Sequence, residues 1–260
     1  MFKSLQAGLT ELIKRPLLVL LSAFFFVIQF LALWLVLDSF LELFVFFLFP
    51  AVDLSFEFIP FFLLMNYPFE LFALLLQLLF SLFLFSWLYN SMAIALIEDI
   101  PSIKAVINSL DLWKKHLGLG IFYFCTALIY FTALFLLLWI ASAFDSELLF
   151  LFFLILFFAL GFFGLLIAYK FVFIPVALVR EPNAKKAIQL SWKFTSKQFF
   201  TGIALFLIVF MVFYLISGIG YELSLLVEDE LISSIVFILL NSVGLTYALL
   251  VLIEFFEKKK

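Results

Sequence analysis

Long apolar stretches alternate with short polar segments along this chain of 260 residues. Six of the stretches reach the roughly 20 mainly apolar residues that a helix needs to cross a bilayer. They cover residues 16–37, 69–97, 117–144, 148–179, 199–221 and 231–255. The pattern therefore predicts an all-α integral membrane protein with six transmembrane helices.

An amphipathic segment precedes the first, third and fifth of these spans, and each segment carries two lysines eleven residues apart. The pairs are Lys3 with Lys14, Lys104 with Lys115, and Lys186 with Lys197. Eleven residues make about three helical turns, so we expect both members of a pair to lie on one helix face. Lysines on one face and apolar residues opposite predict helices that lie in the membrane interface.

The second and third amphipathic segments align without a gap at an offset of 82 residues. Matching pairs include Ala105 with Ala187, Ser109 with Ser191, and Lys115 with Lys197. The N-terminus aligns with the second copy at an offset of 101, which places Gly8 at the serine position. Internal similarity of this kind predicts repeated structural units.

We interpret the chain as one membrane domain made of three units, each an interfacial amphipathic helix followed by two spans. The units cover 1–97, 98–179 and 180–260. Because all three start on the same side of the membrane, they should surround a pseudo-threefold axis along the membrane normal. Residues 38–68 form an outer insertion in the first unit, broken by three prolines. The insertion is either a surface cap or a re-entrant element.

Composition excludes a soluble globular protein and a zinc site. Hydrophobic residues make up 68% of the chain and charged residues 13%, against about 45–50% and about 25% in soluble domains. A single histidine and a single cysteine cannot form a His/Cys zinc site in one chain. We expect no metal, cofactor or nucleic-acid partner.

The basic residues are distributed very unevenly about the predicted spans. Fourteen of the fifteen lysines and arginines precede the first, third and fifth spans or follow the sixth. The alternate connections contain acidic residues and no basic ones. By the positive-inside rule, this distribution predicts a multi-pass protein of the plasma membrane with both termini in the cytoplasm.

One segment resembles a known prokaryotic membrane domain. Residues 173–181 read FIPVALVRE, and residues 187–192 read AIQLSW. This pattern is similar to the multi-pass domain attached to some glycerophosphoryl diester phosphodiesterases, and to related uncharacterised bacterial and archaeal membrane proteins. The resemblance implies a polytopic domain of undefined activity. We expect the hydrolytic domain that some of these proteins carry to be absent from this chain.

Lys170 is the one basic residue inside a predicted span. A lysine near the bilayer centre costs on the order of 2.5–3.5 kcal/mol on insertion scales. Lys170 is either a counter-ion for an anionic headgroup or substrate in a bundle cavity, or it snorkels to the cytoplasmic boundary before Pro175. Both interpretations stay open at this stage.

The remaining polar residues of the spans suggest structural roles. The residues expected to join helices by hydrogen bonds are Gln29, Gln77, Asn90, Thr126, Thr132 and Asn241. Small residues such as Gly161 and Gly164 are expected to allow close helix approach. His116 is expected to be interfacial with no catalytic task.

Taken together, these patterns point to a protein without catalytic residues whose candidate site is its basic face. The candidate ligand contacts are Lys170, Lys104, Lys115, Lys186 and Lys197. Such a face attracts anionic lipids of the cytoplasmic leaflet. The leading hypothesis is lipid or amphiphile handling, or an accessory subunit that docks a protein partner on its cytoplasmic helices. The alternative is a small-solute transporter or channel with a path along the bundle axis.

Overall fold

The computed structural model describes residues 2–34, 68–142, 147–227 and 229–259, and these residues fold into α-helices without any strand. The helices are α1 (Phe2–Lys14), α2 (Leu17–Trp34), α3 (Pro68–Ile97), α4 (Ser102–Leu110), α5 (Trp113–Ser142), α6 (Glu147–Phe171), α7 (Ile174–Arg180), α8 (Ala184–Lys197), α9 (Phe199–Leu225) and α10 (Glu230–Lys259).

Four helical stretches in the described residues are long and apolar enough to cross a membrane. They are Leu75–Ile97 in α3, Leu151–Arg180 across α6 and α7, Phe199–Leu225 in α9, and Leu231–Lys258 in α10. The expected class, an all-α membrane protein, is confirmed at this level, whereas six spans and a threefold repeat stay predictions. Except for Pro68 at the start of α3, the insertion 38–68 lies outside the described residues.

The chain divides into two compact units. The first contains Met1–Ile28, Leu84–Leu117 and Leu166–Lys260, and the second contains Gln29–Phe83 and Gly118–Leu165. The three amphipathic helices α1, α4 and α8 all belong to the first unit, which therefore holds the candidate site.

Helices α9 and α10 pack closely in the first unit. A Cβ atom added to Gly220 would lie 3.1 Å from the Leu240 Cβ atom, so the two backbones approach each other at this glycine. The Ser217 hydroxyl donates to Asn241 Oδ1 at 2.7 Å, and Asn241 Nδ2 donates to the Phe237 carbonyl. The predicted helix-joining role of Asn241 is confirmed.

Helix α1 packs against α10 through a glycine. A Cβ atom at Gly8 would lie 2.4 Å from Val251 Cγ2 and 3.1 Å from the Val251 backbone nitrogen. The start of α2 is attached to the same helix, because the Ser22 and Thr246 hydroxyls lie 2.7 Å apart and buried. Small and hydroxylated residues are what lets helices associate tightly in membranes.

The second unit is held together by amide and tyrosine contacts. Gln29 Oε1 accepts hydrogen bonds from Gln77 Nε2 at 3.2 Å and from Ser81 Oγ at 2.6 Å. The hydroxyl of Tyr130 donates to the Leu160 carbonyl at 2.8 Å, beside a glycine at position 164. The helix-joining role of both glutamines is confirmed.

Two of the predicted structural roles in this unit are wrong. Among the described residues, a Cβ atom added to Gly161 would meet nothing within 4 Å, so no described helix approaches closely there, in contrast to Gly164. Thr126 donates to the Phe122 carbonyl of its own helix instead of joining two helices. A threonine hydroxyl bonds readily to the carbonyl one turn earlier, which competes with interhelical partners.

The α1–α10 contact can be tested with an alanine substitution. Gly8→Ala should destabilise the protein by about 1–3 kcal/mol, because the added methyl overpacks a contact that includes the backbone of Val251. The measurement is thermal unfolding of the detergent-solubilised protein. The matched control is Gly118→Ala, where a Cβ atom meets no atom of the described residues within 4 Å. It should be neutral or stabilising by up to about 1 kcal/mol, and equal effects of both changes would contradict the packing described.

Candidate functional site: the basic end of the first unit

The basic end is defined here as the amphipathic helices α1, α4 and α8 together with the helix ends that they contact. On α4, the Ser109 hydroxyl lies 2.6 Å from that of Ser91 in α3. On α8, the Ser191 hydroxyl donates to the Lys170 carbonyl of α6 at 2.7 Å. On α1, the corresponding residue is Gly8, which touches α10. The three positions matched by the internal alignment thus all lie at a junction with a long helix.

Each amphipathic helix buries small residues and exposes at least one larger apolar residue. The buried small residues are Ser4 and Gly8 in α1, Ala105 and Ser109 in α4, and Ala187 and Ser191 in α8. The exposed apolar residues are Phe2, Leu9 and Ile13 in α1, Ile103, Ile107 and Leu110 in α4, and Trp192 in α8. Each helix therefore combines a packing face that contains small residues with exposed apolar side chains that can meet lipid.

A break between α6 and α7 shapes the basic end. Helix α6 ends at Phe171 and α7 begins at Ile174, with a proline at position 175 that has no N–H to donate. Side chains supply bonds to carbonyls around the break. Ser191 donates to the Lys170 carbonyl, and Asn90 Nδ2 donates to the Pro175 carbonyl at 2.7 Å. The predicted helix-joining role of Asn90 is confirmed.

Four phenylalanines pack against one another in the interior beside α8. They are Phe173, Phe194, Phe255 and Phe256, all buried. The Phe194 ring lies 4.7 Å from that of Phe256, 5.1 Å from that of Phe173 and 5.5 Å from that of Phe255. Tilted and edge-on contacts at these distances are favourable aromatic geometries. A packed aromatic cluster thus joins α8 to α10 and to the residue before α7.

Both arginines of the chain are engaged within the protein. Arg15 donates to the carbonyls of Ala95 at 2.7 Å and Ile100 at 3.2 Å, and it forms ion pairs with Glu11 and Asp99. Asp99 has a positive φ of 50°, which turns the chain sharply after α3. The planar guanidinium carries five N–H donors, so one arginine can bond to several acceptors at once.

The second arginine, Arg180 at the end of α7, forms an ion pair with Glu257 in α10. The Arg180 Nε–Glu257 Oε1 distance is 3.3 Å. Because both arginines already hold carboxylates, lysines are the cations that remain for a ligand at the basic end.

The predicted ligand lysines lie mostly on the surface. Lys104, Lys186 and Lys197 are exposed, and Lys115 is half-buried. Lys186 and Lys197 share α8, as predicted. The prediction that Lys104 and Lys115 share one helix face is wrong, because α4 ends at Leu110 and Lys115 belongs to α5.

Lys170 lies in the last turn of α6 with its side chain against α8. Its ammonium group donates to the Ser196 hydroxyl and lies 5.0 Å from the centre of the Trp192 ring. Within the part of the chain that the structure describes, no carboxylate forms an ion pair with Lys170. The ammonium group therefore meets the amphipathic helix, as snorkelling requires, and its role in binding an anion stays a prediction.

His116 is buried within the protein, which the sequence did not indicate. Its Nδ1 lies 3.2 Å from the Ser86 hydroxyl, and its interfacial position without a catalytic task stays a prediction. Burial, assisted by the charge of Lys115, lowers the pKa of His116 to about 4. The imidazole is therefore neutral at pH 7. Its position after two lysines suggests exposure, and only the packing against α3 reveals the burial.

No family model, curated protein or solved structure matches this chain. The resemblance to the membrane domain of some glycerophosphoryl diester phosphodiesterases therefore stays a prediction. Among the described residues, no group of three His, Cys, Asp or Glu side chains could hold a metal ion.

The burial of His116 predicts an acid-sensitive fold. Since its pKa is about 6.5 when unfolded and about 4 when folded, the unfolded state binds more protons between these values. The stabilisation is complete above pH 6.5 and declines as the pH falls towards 4, by about 2 kcal/mol at pH 5. Thermal unfolding at pH 7 and pH 5 measures this. His116→Gln should flatten the difference, and an unchanged pH dependence in this variant would contradict the assignment.

Proposed function

We propose that this chain is a six-span plasma-membrane protein without catalytic activity, whose basic end binds anionic lipids of the cytoplasmic leaflet. The observation that carries the proposal is the contrast between the interior and the surface of the basic end. Aromatic rings pack around Phe194 in the interior. The candidate lysines, which do not form the internal bonds that the two arginines form, lie mostly on the surface. A ligand of the lysines then approaches from the membrane surface.

We also propose that the three predicted repeats are arranged around a pseudo-threefold axis, and the junctions at the basic end support this arrangement. Helix α4 packs on α3 and α8 packs on α6, so each amphipathic helix contacts the second span of the preceding repeat. Helix α1 of the first predicted repeat packs on α10 of the third. The same kind of contact thus recurs at each predicted repeat, as a pseudo-threefold arrangement would require.

The amphipathic helices have the composition of lipid-interface elements. Their exposed apolar residues, such as Ile13, Ile103 and Trp192, can enter the acyl-chain boundary. Their lysines then lie at the level of the lipid phosphates, where each contributes about 1 kcal/mol with anionic lipid. Lys104, Lys115, Lys186 and Lys197 together therefore give the basic end a marked preference for negatively charged leaflets.

The same features weigh against the alternatives. A solute path between α8 and α10 would require a hydrated interior there, where the described residues instead place Phe173, Phe194, Phe255 and Phe256 in contact. Docking of a protein partner uses the same exposed lysines. Protein docking can be distinguished from lipid binding, because a protein partner would co-purify in fixed stoichiometry whatever lipid is present.

The proposal predicts a measurable lipid preference. Purified protein equilibrated with equal amounts of phosphatidylglycerol and phosphatidylcholine should retain mainly phosphatidylglycerol in native mass spectrometry. Replacing Lys104, Lys115, Lys186 and Lys197 together with glutamine should reduce that preference at least ten-fold, since each lysine contributes about 1 kcal/mol.

The control for this experiment is Glu222→Gln, which changes an exposed charge at the far end of α9 from the basic end. It should leave lipid retention unchanged. Equal retention of both lipids by the wild-type protein would contradict lipid binding. Uptake of a solute into proteoliposomes would favour the transporter.

A further inference from the structure

Helix α8 has a polar face that its packing leaves exposed. Its buried residues are Ala187, Ser191, Phe194 and Thr195. Gln189, Trp192, Lys193 and Ser196 follow the i, i+3, i+4, i+7 spacing of one helix face, and all four are exposed. This face combines an amide, an indole, an ammonium and a hydroxyl, all of them hydrogen-bond donors. The whole of α8 contains no Asp or Glu.

Lys170 joins this face from a different helix. Its ammonium group contacts the Ser196 hydroxyl and lies 5.0 Å from the Trp192 ring centre. Its backbone is held too, because the buried Ser191 hydroxyl donates to the Lys170 carbonyl at 2.7 Å. The Phe171 ring centre lies 6.3 Å from that of Trp192. Both the backbone and the ammonium group of Lys170 are therefore held in place, which lowers the entropic cost of binding an anion.

The lysines at this face form no ion pair among the described residues. Arg15 and Arg180 form ion pairs with carboxylates, as do Lys14 and Lys258. In the described residues neither Lys170 nor Lys193 has such a partner. An ammonium group bonded to a hydroxyl, a second lysine on the same helix face and an indole at the edge match a phosphate whose attached chains continue into an apolar phase.

We propose that Lys170, Lys193 and Ser196 form a discrete binding site for the phosphate group of an anionic phospholipid. Trp192 and the exposed Phe200, one turn beyond α8, border the glycerol and acyl chains. This site rests on the proposed function and deepens it, because it distinguishes one specific lipid from a diffuse layer. Free phosphate shares the headgroup chemistry but has no group for Trp192 and Phe200.

The internal repeat predicts that this site occurs once. At the offset of 82 residues, Lys170 corresponds to Leu88, Trp192 to Leu110 and Ser196 to Lys114. The second amphipathic helix thus has neither the ammonium group from the span nor the hydroxyl beside it. One tightly bound phospholipid per chain is expected.

The second repeat also supplies a matched control. The Lys114 ammonium group lies 5.6 Å from the ring centre of Trp113, so it is a lysine stacked on a tryptophan as Lys170 is. Lys114 lies beside its tryptophan on the surface, whereas Lys170 comes from a span. Lys114→Gln removes the same charge without touching the site.

The test is titration of detergent-solubilised protein with phosphatidylglycerol, with native mass spectrometry resolving the first lipid bound. Lys170→Gln and Lys193→Gln should each weaken the first binding event about ten-fold, and Ser196→Ala about three-fold. Lys114→Gln should leave it unchanged. Lys170→Arg should restore most of the affinity, which separates lost charge from a misfolded protein. If Lys170→Gln fails to fold, the Lys193→Gln and Ser196→Ala variants test the proposed site instead.

The outcomes separate this site from the general lipid preference. Equal weakening by Lys170→Gln and Lys114→Gln, with phosphatidylglycerol still preferred, would overturn the discrete site and leave the proposed function intact. Absence of any preference for phosphatidylglycerol would overturn both. Inorganic phosphate that displaces the first lipid at equal concentration would overturn the lipid as ligand and identify a free-phosphate site.

Discussion

The close approach of small residues at the ends of the long helices is the contact on which the basic end depends. Gly8, Ser109 and Ser191 occupy matched positions and each touches a long helix. In lipid there is no hydrophobic force to bring helices together, so packing of small side chains and hydrogen bonds must do it. The three hydroxyl or glycine contacts set where the amphipathic helices lie, and therefore where their lysines lie.

The break in the fourth predicted span follows from the same requirement. Pro175 removes a backbone donor, and a carbonyl left without a partner in an apolar phase costs several kcal/mol. Ser191 and Asn90 donate to carbonyls at the break. The break lets α7 bring Arg180 to Glu257, and it leaves Lys170 at the end of α6 beside α8. The helix break thus accounts for the position of Lys170, the one basic residue inside a predicted span.

Cations at the basic end divide into two groups by chemistry. The arginines hold helix ends together through several donors each, as a planar guanidinium can. Most lysines lie on the surface, where a flexible stem reaches the headgroup region. The proposed lipid binding, and the discrete site at Lys170 and Ser196, both use this second group.

The sequence by itself determined the helical membrane class, because apolar stretches of this length allow few other structures. It also located the matched small residues and the polar residues that join helices, including Asn90 and Asn241, since buried polar groups in lipid must pair. It did not reveal the helix break at Asp111, which separates Lys104 from Lys115, or the burial of His116. Those depend on which neighbouring helix each side chain meets. Likewise, only tertiary packing brought Lys170 to Trp192 and Ser196, because that contact joins residues 22 and 26 positions away across a bend.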